Sequence, residues 1–177
     1  RRLLAIRRNL EWGIVVKDPE SAVRRDFKGI ETWPIDPKWR IEATWEPYPA
    51  DRQLMVTTAQ GTHETLTSPG AARFQMNGVP VVLEAILEQP GASQVLFVFT
   101  DATSGKTSSS GGRFLYADLP RDGKIVLDFN RAHNPPSGFS SHATAPLPPY
   151  RNRMKVAVEA GEKKFGGEVK SSFATRH

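Results

Sequence analysis

From Pro34 onward, turn-forming residues cut this chain into pieces that suit strands better than helices. Pro34 and Pro37 come first, then Gln60-Gly61, Ser68-Pro69-Gly70, Asn77-Gly78, Gln89-Pro90-Gly91 and Pro120-Arg121-Asp122-Gly123. Each is chemistry that reverses or breaks a backbone. Between them the apolar residues follow the two-residue period of a strand. Ile41, Ala43 and Trp45 fall on one side of a strand starting at Trp39, with Arg40, Glu42 and Thr44 on the other. Further strands are predicted over Leu54–Thr58, Thr62–Thr67, Val81–Leu87, Val95–Thr100, Arg113–Ala117 and Lys124–Phe129. Met154, Val156 and Val158 alternate with Lys155, Ala157 and Glu159 in a last one. Asn77-Gly78 tolerates the positive φ angles of a type I′ turn and marks a hairpin. About eight or nine short strands with turns between them indicate a mainly β protein, a single antiparallel sandwich or barrel rather than a βαβ enzyme.

Ahead of this region the period changes. Leu3, Leu4, Leu10 and Trp12, with arginines between them, suggest a short amphipathic helix over Arg1–Trp12. Asp18-Pro19-Glu20 offers an N-cap with proline at the first helical position, so a helical turn through Ala22 and Val23 follows. Phe27, Ile30 and Trp33 then anchor the chain on the core. The expected organisation is an N-terminal helical segment, residues 1–26, packed on one antiparallel β domain, residues 27–177. A length of 177 residues fits a single domain.

Composition excludes several chemistries. The chain has no cysteine, so disulfides, thiol catalysis and cysteine-ligated metals are out. No apolar run approaches the roughly 20 residues of a membrane-spanning helix. Net charge is +5, with Arg1, Arg2, Arg7, Arg8, Arg24 and Arg25 near the start. No nucleic-acid motif or aromatic-interleaved basic patch accompanies them, so they read as a solvated face and no nucleic-acid partner is predicted. The first residue is Arg1, not methionine, which is compatible with a removed leader or tag. The compartment stays open, with the cytoplasm favoured over export.

Unusual polar residues gather between Leu96 and Lys163. Gly105-Lys106-Thr107 invites a phosphate-loop reading, but the first glycine of that pattern would fall at Thr100, and Ser108-Ser109-Ser110-Gly111-Gly112 cannot start a stable helix. A turn describes it better. His133 and His142 near Asp128 match no strong metal spacing, and no metal or cofactor is predicted. Ser137, His142 and Asp128 supply the residue types of a hydrolytic triad without a nucleophile elbow. Asp128 and Asn130 are expected on one strand face, opposite Ile125, Leu127 and Phe129. The candidate ligand-binding set is Arg113, Asp128, Asn130, Arg131, His133, Asn134, Asn152 and Arg153. Either these residues form a network pinning the loop Arg131–Tyr150 to the sheet, or an arginine fork among them holds a carboxylate or phosphate. The leading expectation is a pocket for a small polar or anionic ligand, near the glycine loop and the proline-rich loop. The alternatives are a hydrolase or metal-assisted enzyme of the same fold, and a structural or partner-binding module.

The same stretch carries a set of ordered motifs: Asp101-Ala102-Thr103-Ser104-Gly105, Gly111-Gly112-Arg113-Phe114-Leu115, Asp128-Phe129-Asn130-Arg131-Ala132, Asn134-Pro135-Pro136, Pro146-Leu147-Pro148-Pro149, Asn152-Arg153 and Ala160-Gly161-Glu162-Lys163. Together they resemble the domain-of-unknown-function family 1684, a family of bacterial or archaeal type. Phe27-Lys28-Gly29-Ile30 and Pro34-Ile35-Asp36-Pro37 extend the resemblance over Phe27 to Phe165. It implies the fold and carries no activity. The chain departs from the pattern at four places. Thr107-Ser108-Ser109 stands where the resemblance expects Glu-Thr-Tyr, His133 where it expects tyrosine, and Ser137 and Ala145 where it expects cysteines.

Overall fold

A computed structural model describes residues 1–8, 11–140 and 143–166. Its strands are β1 (Arg2–Arg8), β2 (Glu11–Lys17), β3 (Arg40–Thr57), β4 (His63–Met76), β5 (Val79–Glu84), β6 (Gln94–Phe99), β7 (Arg113–Asp118) and β8 (Lys124–Asp128). Every ladder is antiparallel. A four-stranded sheet runs in the order β5-β4-β3-β8, and β6-β7 and β1-β2 form two-stranded sheets. None of these sheets closes into a barrel. No helix among the described residues is long and apolar enough to cross a membrane.

The alternation seen from Trp39 sets which face of β3 is buried. Ala43 is 1% exposed, and Ile41 and Trp45 pack beside it, while Arg40, Glu42 and Thr44 face water. Cross-strand partners share a face, so the pairs Ala43↔Ile125, Ile41↔Leu127 and Trp45↔Ala72 extend the apolar surface to β8 and β4. Phe97, Phe99 and Leu115 of the smaller sheet join the same core. β6 is buried on both faces: Leu96 and Val98 pack on the other side with Ile86, Phe114 and Ala145. The continuous apolar run of this strand follows from that double burial.

β3 is one strand where two were expected. Its register against β4 shifts between Pro47 and Arg52, a bulge that absorbs the extra residues without ending the pairing. Gly70 sits opposite, where a Cβ would lie 2.5 Å from the Trp45 ring and from the Glu46 carbonyl. Asn77 and Gly78 take φ of 51° and 76°, the type I′ hairpin read from the sequence.

Three expectations are corrected. Residues of the proposed Arg1–Trp12 helix form the β1–β2 hairpin instead, in which Leu3 faces Val16, Ala5 faces Ile14 and Arg7 faces Trp12. The β-branched run Ile14-Val15-Val16 favours an extended chain, and pairing with it draws the preceding segment into a strand. Leu10 and His142 lie outside the described residues. Among the described residues the helical turn near the start is Ala22–Arg25, capped by Ser21 through its backbone and not by Asp18. Met154–Glu159, expected as a last strand, lies in no ladder and bends at Lys155 and Val156, and a bridge of Arg153 to Thr100 precedes it. Its carbonyls are taken by other groups: Ala102 N donates to Val156 O at 3.1 Å, and the Arg113 guanidinium to Val158 O at 2.8 Å.

Candidate functional site

Arg113 opens β7 with its side chain fully enclosed. One terminal nitrogen donates to Asp101 Oδ2 at 2.7 Å and to Val158 O at 2.8 Å, and the other donates to Ala160 O. The guanidinium lies 5.1 Å from the Phe99 ring centroid and 5.3 Å from that of Trp33. Burial holds its pKa below the ordinary arginine value, and the Asp101 carboxylate works against that shift. Asp101 Oδ1 in turn accepts from Thr103 N at 2.7 Å and Val158 N at 3.3 Å. Arg113 therefore clamps the segment running to Gly166 onto the start of the glycine-rich loop.

The other sequence-selected residues fall at several places. Asn152 is fully buried: its Oδ1 accepts from Glu84 N at 2.7 Å, and its Nδ2 donates to Glu84 O and Val98 O, both at 2.9 Å. Asn130 is in a 3₁₀ turn, Phe129–Arg131, and not on the strand face with Asp128, because the Asp128 carboxylate accepts from Asn130 N at 3.2 Å and Nδ2 at 2.9 Å and caps that turn. Asn130 also exchanges hydrogen bonds with the Asp36 backbone at 3.0 and 3.1 Å. His133 stacks on Tyr116, with ring centroids 5.9 Å apart. Arg131 and Arg153 are exposed. Among the described residues no three of His, Asp and Glu converge as a metal cluster would.

Asp128 and Arg131 line one hollow of about 480 Å³, and Asn134 lines a separate cavity of about 470 Å³. The walls are Ser108–Gly111 from the glycine loop, Asn134, Ser137 and Gly138 from the next turn, and Leu147 from the proline-rich loop, with Ala59, Lys164 and Phe165 at the edges. The loops meet there for identifiable reasons. Leu147 N donates to Thr57 O at 2.8 Å and Ala59 N to Ala145 O at 2.9 Å, fastening the proline-rich loop to the end of β3. A Cβ on Gly112 would meet Phe99 O at 2.7 Å and Pro148 Cγ at 2.8 Å, so the glycine lets the two loops close. Inside, Ser108 is fully buried and bonded to Thr103 at 2.8 Å. The hydroxyls of Ser109 and Ser137 have no protein partner among the described residues.

Asn134 is 4% exposed. Its Nδ2 donates to Glu162 Oε2 at 3.0 Å and to Lys163 O at 2.8 Å, which fixes the amide orientation. Its Oδ1 is buried and accepts nothing. An unmet buried acceptor is rare and costs roughly 1–3 kcal/mol. The candidate ligand-binding set includes Asn134 but not Ser109, Ser137 or Lys164, although Ser109 and Ser137 stand out as departures from the family pattern. Only the closure of three loops separated along the chain brings these together.

The family described as "Protein of unknown function (DUF1684)" matches residues 25–163. The chain belongs to that family. Another structure similar to this DUF1684 chain is the solution NMR structure of an uncharacterised protein from Haloarcula marismortui. It is 30% identical, with 79% of this chain and 78% of that chain covered and a TM-score of 0.66. No curated protein matches the chain. The DUF1684 match spans β3 to β8 and both loops of the cavity, while β1 and β2 precede it. Two of the departures noted in the sequence, Ser109 and Ser137, line the cavity. Ala145 is buried in the second apolar cluster instead.

Proposed function

We propose that this DUF1684 chain is a small-molecule-binding domain whose ligand sits in the cavity between the serine-glycine loop and the proline-rich loop. The observation carrying this reading is that Asn134, whose side-chain oxygen is buried with no donor, is among the residues lining the cavity. A ligand hydroxyl or N–H would satisfy it, and the Ser109 and Ser137 hydroxyls would take further polar groups. In this reading Arg113, Asp128, Asn130 and Asn152 position the walls, and Asn134, Ser109, Ser137 and Lys164 touch the ligand.

Thermal-shift screening of small polar compounds, followed by titration of the hits under NMR, tests it. Hits are expected to move the Asn134 side-chain amide signals. Ser109→Val should weaken them about tenfold, the loss of one buried hydrogen bond. Ala59→Trp, a change at the exposed cavity edge, should abolish binding while leaving the melting temperature near that of the parent. Hits that bind Ala59→Trp as well as the parent would rule this cavity out.

A further inference from the structure

Next to the cavity, and sharing Lys164 and Phe165 with it as walls, lies a second hollow of about 770 Å³. Its charged lining is lopsided: Lys28, Lys106, Lys163 and Lys164 against Asp26 and Glu31. Lys163 is paired with Glu31 at 3.3 Å. The other three lysines make no ion pair among the described residues. Their backbones are held close. Lys164 N donates to Thr107 O at 2.9 Å, Lys163 N to Glu31 O at 2.8 Å and Lys106 N to Thr103 O at 3.0 Å, so three segments distant in sequence present their cations to one hollow.

Phe165 borders both spaces. Its ring packs on Phe139 at 5.3 Å and Phe27 at 5.8 Å, centroid to centroid. Phe139 follows the turn that carries Ser137 and Gly138, and Phe27 precedes Lys28. The serine-lined cavity and the lysine-lined hollow are thus two neighbouring compartments that share Lys164 and Phe165. One compartment is lined by a residue with an unmet buried acceptor, and the other carries an excess of positive charge.

Resting on the proposal that the cavity binds a ligand, we infer that the two compartments form one bipartite site for a small hydroxyl- or amide-bearing anion. Its donor head bonds to Asn134 Oδ1 in the serine cavity, and its phosphate or carboxylate lies among Lys28, Lys106 and Lys164. Opposite charges at such a mouth attract the ligand and fix its direction, with an advantage that shrinks as salt rises.

The test separates this inference from the cavity reading. Inorganic phosphate alone, titrated under NMR at low salt, should give saturable shifts at the amides of Lys106, Thr107 and Lys164, weakened about tenfold in the Lys106→Gln/Lys164→Gln double variant. Glucose, gluconate and glucose-6-phosphate then form a matched set. The anionic members should bind about tenfold tighter than glucose, shift the Asn134 side-chain amide as well, and lose that advantage in the double variant. Gluconate against the phosphate ester tells which anion the lysines prefer. No saturable phosphate shift at the lysines, or an anion advantage that survives the double substitution, overturns the inference. An ester bound no more tightly than inorganic phosphate also overturns it, because the compartments would then act separately. Each of these outcomes leaves the binding of neutral compounds at Asn134, and so the cavity reading, to stand or fall on its own screen.

Discussion

Asn134 and Tyr116 show how much a single side chain takes from its surroundings. The Asn134 amide is fixed by Glu162 and Lys163, so its unmatched oxygen belongs to the fold and not to a freely rotating group. Tyr116 has its pKa pushed up to about 12, first by burial and then by the Glu88 carboxylate that accepts its hydroxyl at 3.1 Å. The folded value exceeds the ordinary 10.0, so the native state keeps the phenolic proton longer than the unfolded chain does. The stability this contributes is complete below pH 10 and is lost as pH rises towards about 12. Tyr116→Phe should therefore flatten the fall in melting temperature over that window. Parallel declines in the two proteins would show that the Tyr116 phenol is not the responsible group. The sequence marked Arg113, Asn130 and Asn152 as unusual, and all three are heavily bonded. It could not divide structural asparagines from an unsatisfied one, because that depends on whether a donor lies within about 3 Å in space.

At the scale of elements, side chains complete what the ladders leave open. β5 and β6 belong to different sheets, and Asn152 joins them by bonding to Glu84 N, Glu84 O and Val98 O. Asn152→Ala strands three buried backbone groups, each worth roughly 1–3 kcal/mol when unmet. A loss of about 3 kcal/mol or more is expected in urea unfolding. A loss no larger than that of a surface substitution would mean that water or backbone shifts replace the asparagine. The β3–β4 bulge makes a second prediction. Gly70→Ala drives a Cβ into the Trp45 ring and the Glu46 carbonyl, both 2.5 Å away, and should cost about 1–3 kcal/mol as overpacking. A variant with the parent's urea midpoint would show that Trp45 moves aside freely. Strands and the type I′ turn were legible because alternation and Asn-Gly act locally. The N-terminal hairpin was misread because leucines and arginines at irregular spacing fit either period until a partner strand selects one.

For the whole molecule, the buried Arg113–Asp101 pair acts as a fastening. The segment from Met154 to Phe165 joins no ladder, and it supplies Lys164 and Phe165 to both compartments. What holds it are the Arg113 bonds to Val158 O and Ala160 O, the Trp33 N to Gly161 O bond at 2.9 Å, and the Glu162 N to Ala132 O bond at 2.8 Å. Removing one member of a buried pair leaves the other charge uncompensated, so Arg113→Met should cost about 3–5 kcal/mol. Hydrogen exchange locates the damage. Protection at Trp33, Val158 and Glu162 should fall further than at Ala72 or Leu83 in the sheet. Uniform loss across all five amides would make Arg113 a general core residue instead of the clamp of this segment.

The amino-acid order by itself determined the class of fold and most of the strand positions between Arg40 and Asp128, because period-two burial and turn chemistry are properties of neighbouring residues. β3 and β4 nonetheless each run as one strand through an expected break. The resemblance to the DUF1684 family was also carried by ordered local motifs, and the match over residues 25–163 bears it out. Tertiary structure decided that β1 and β2 pair, that the last apolar alternation becomes a clamped strap, and that Asn134 meets serines and lysines from distant segments. Those outcomes depend on which loops close against one another, and closure is settled by side-chain contacts between residues that no local pattern connects.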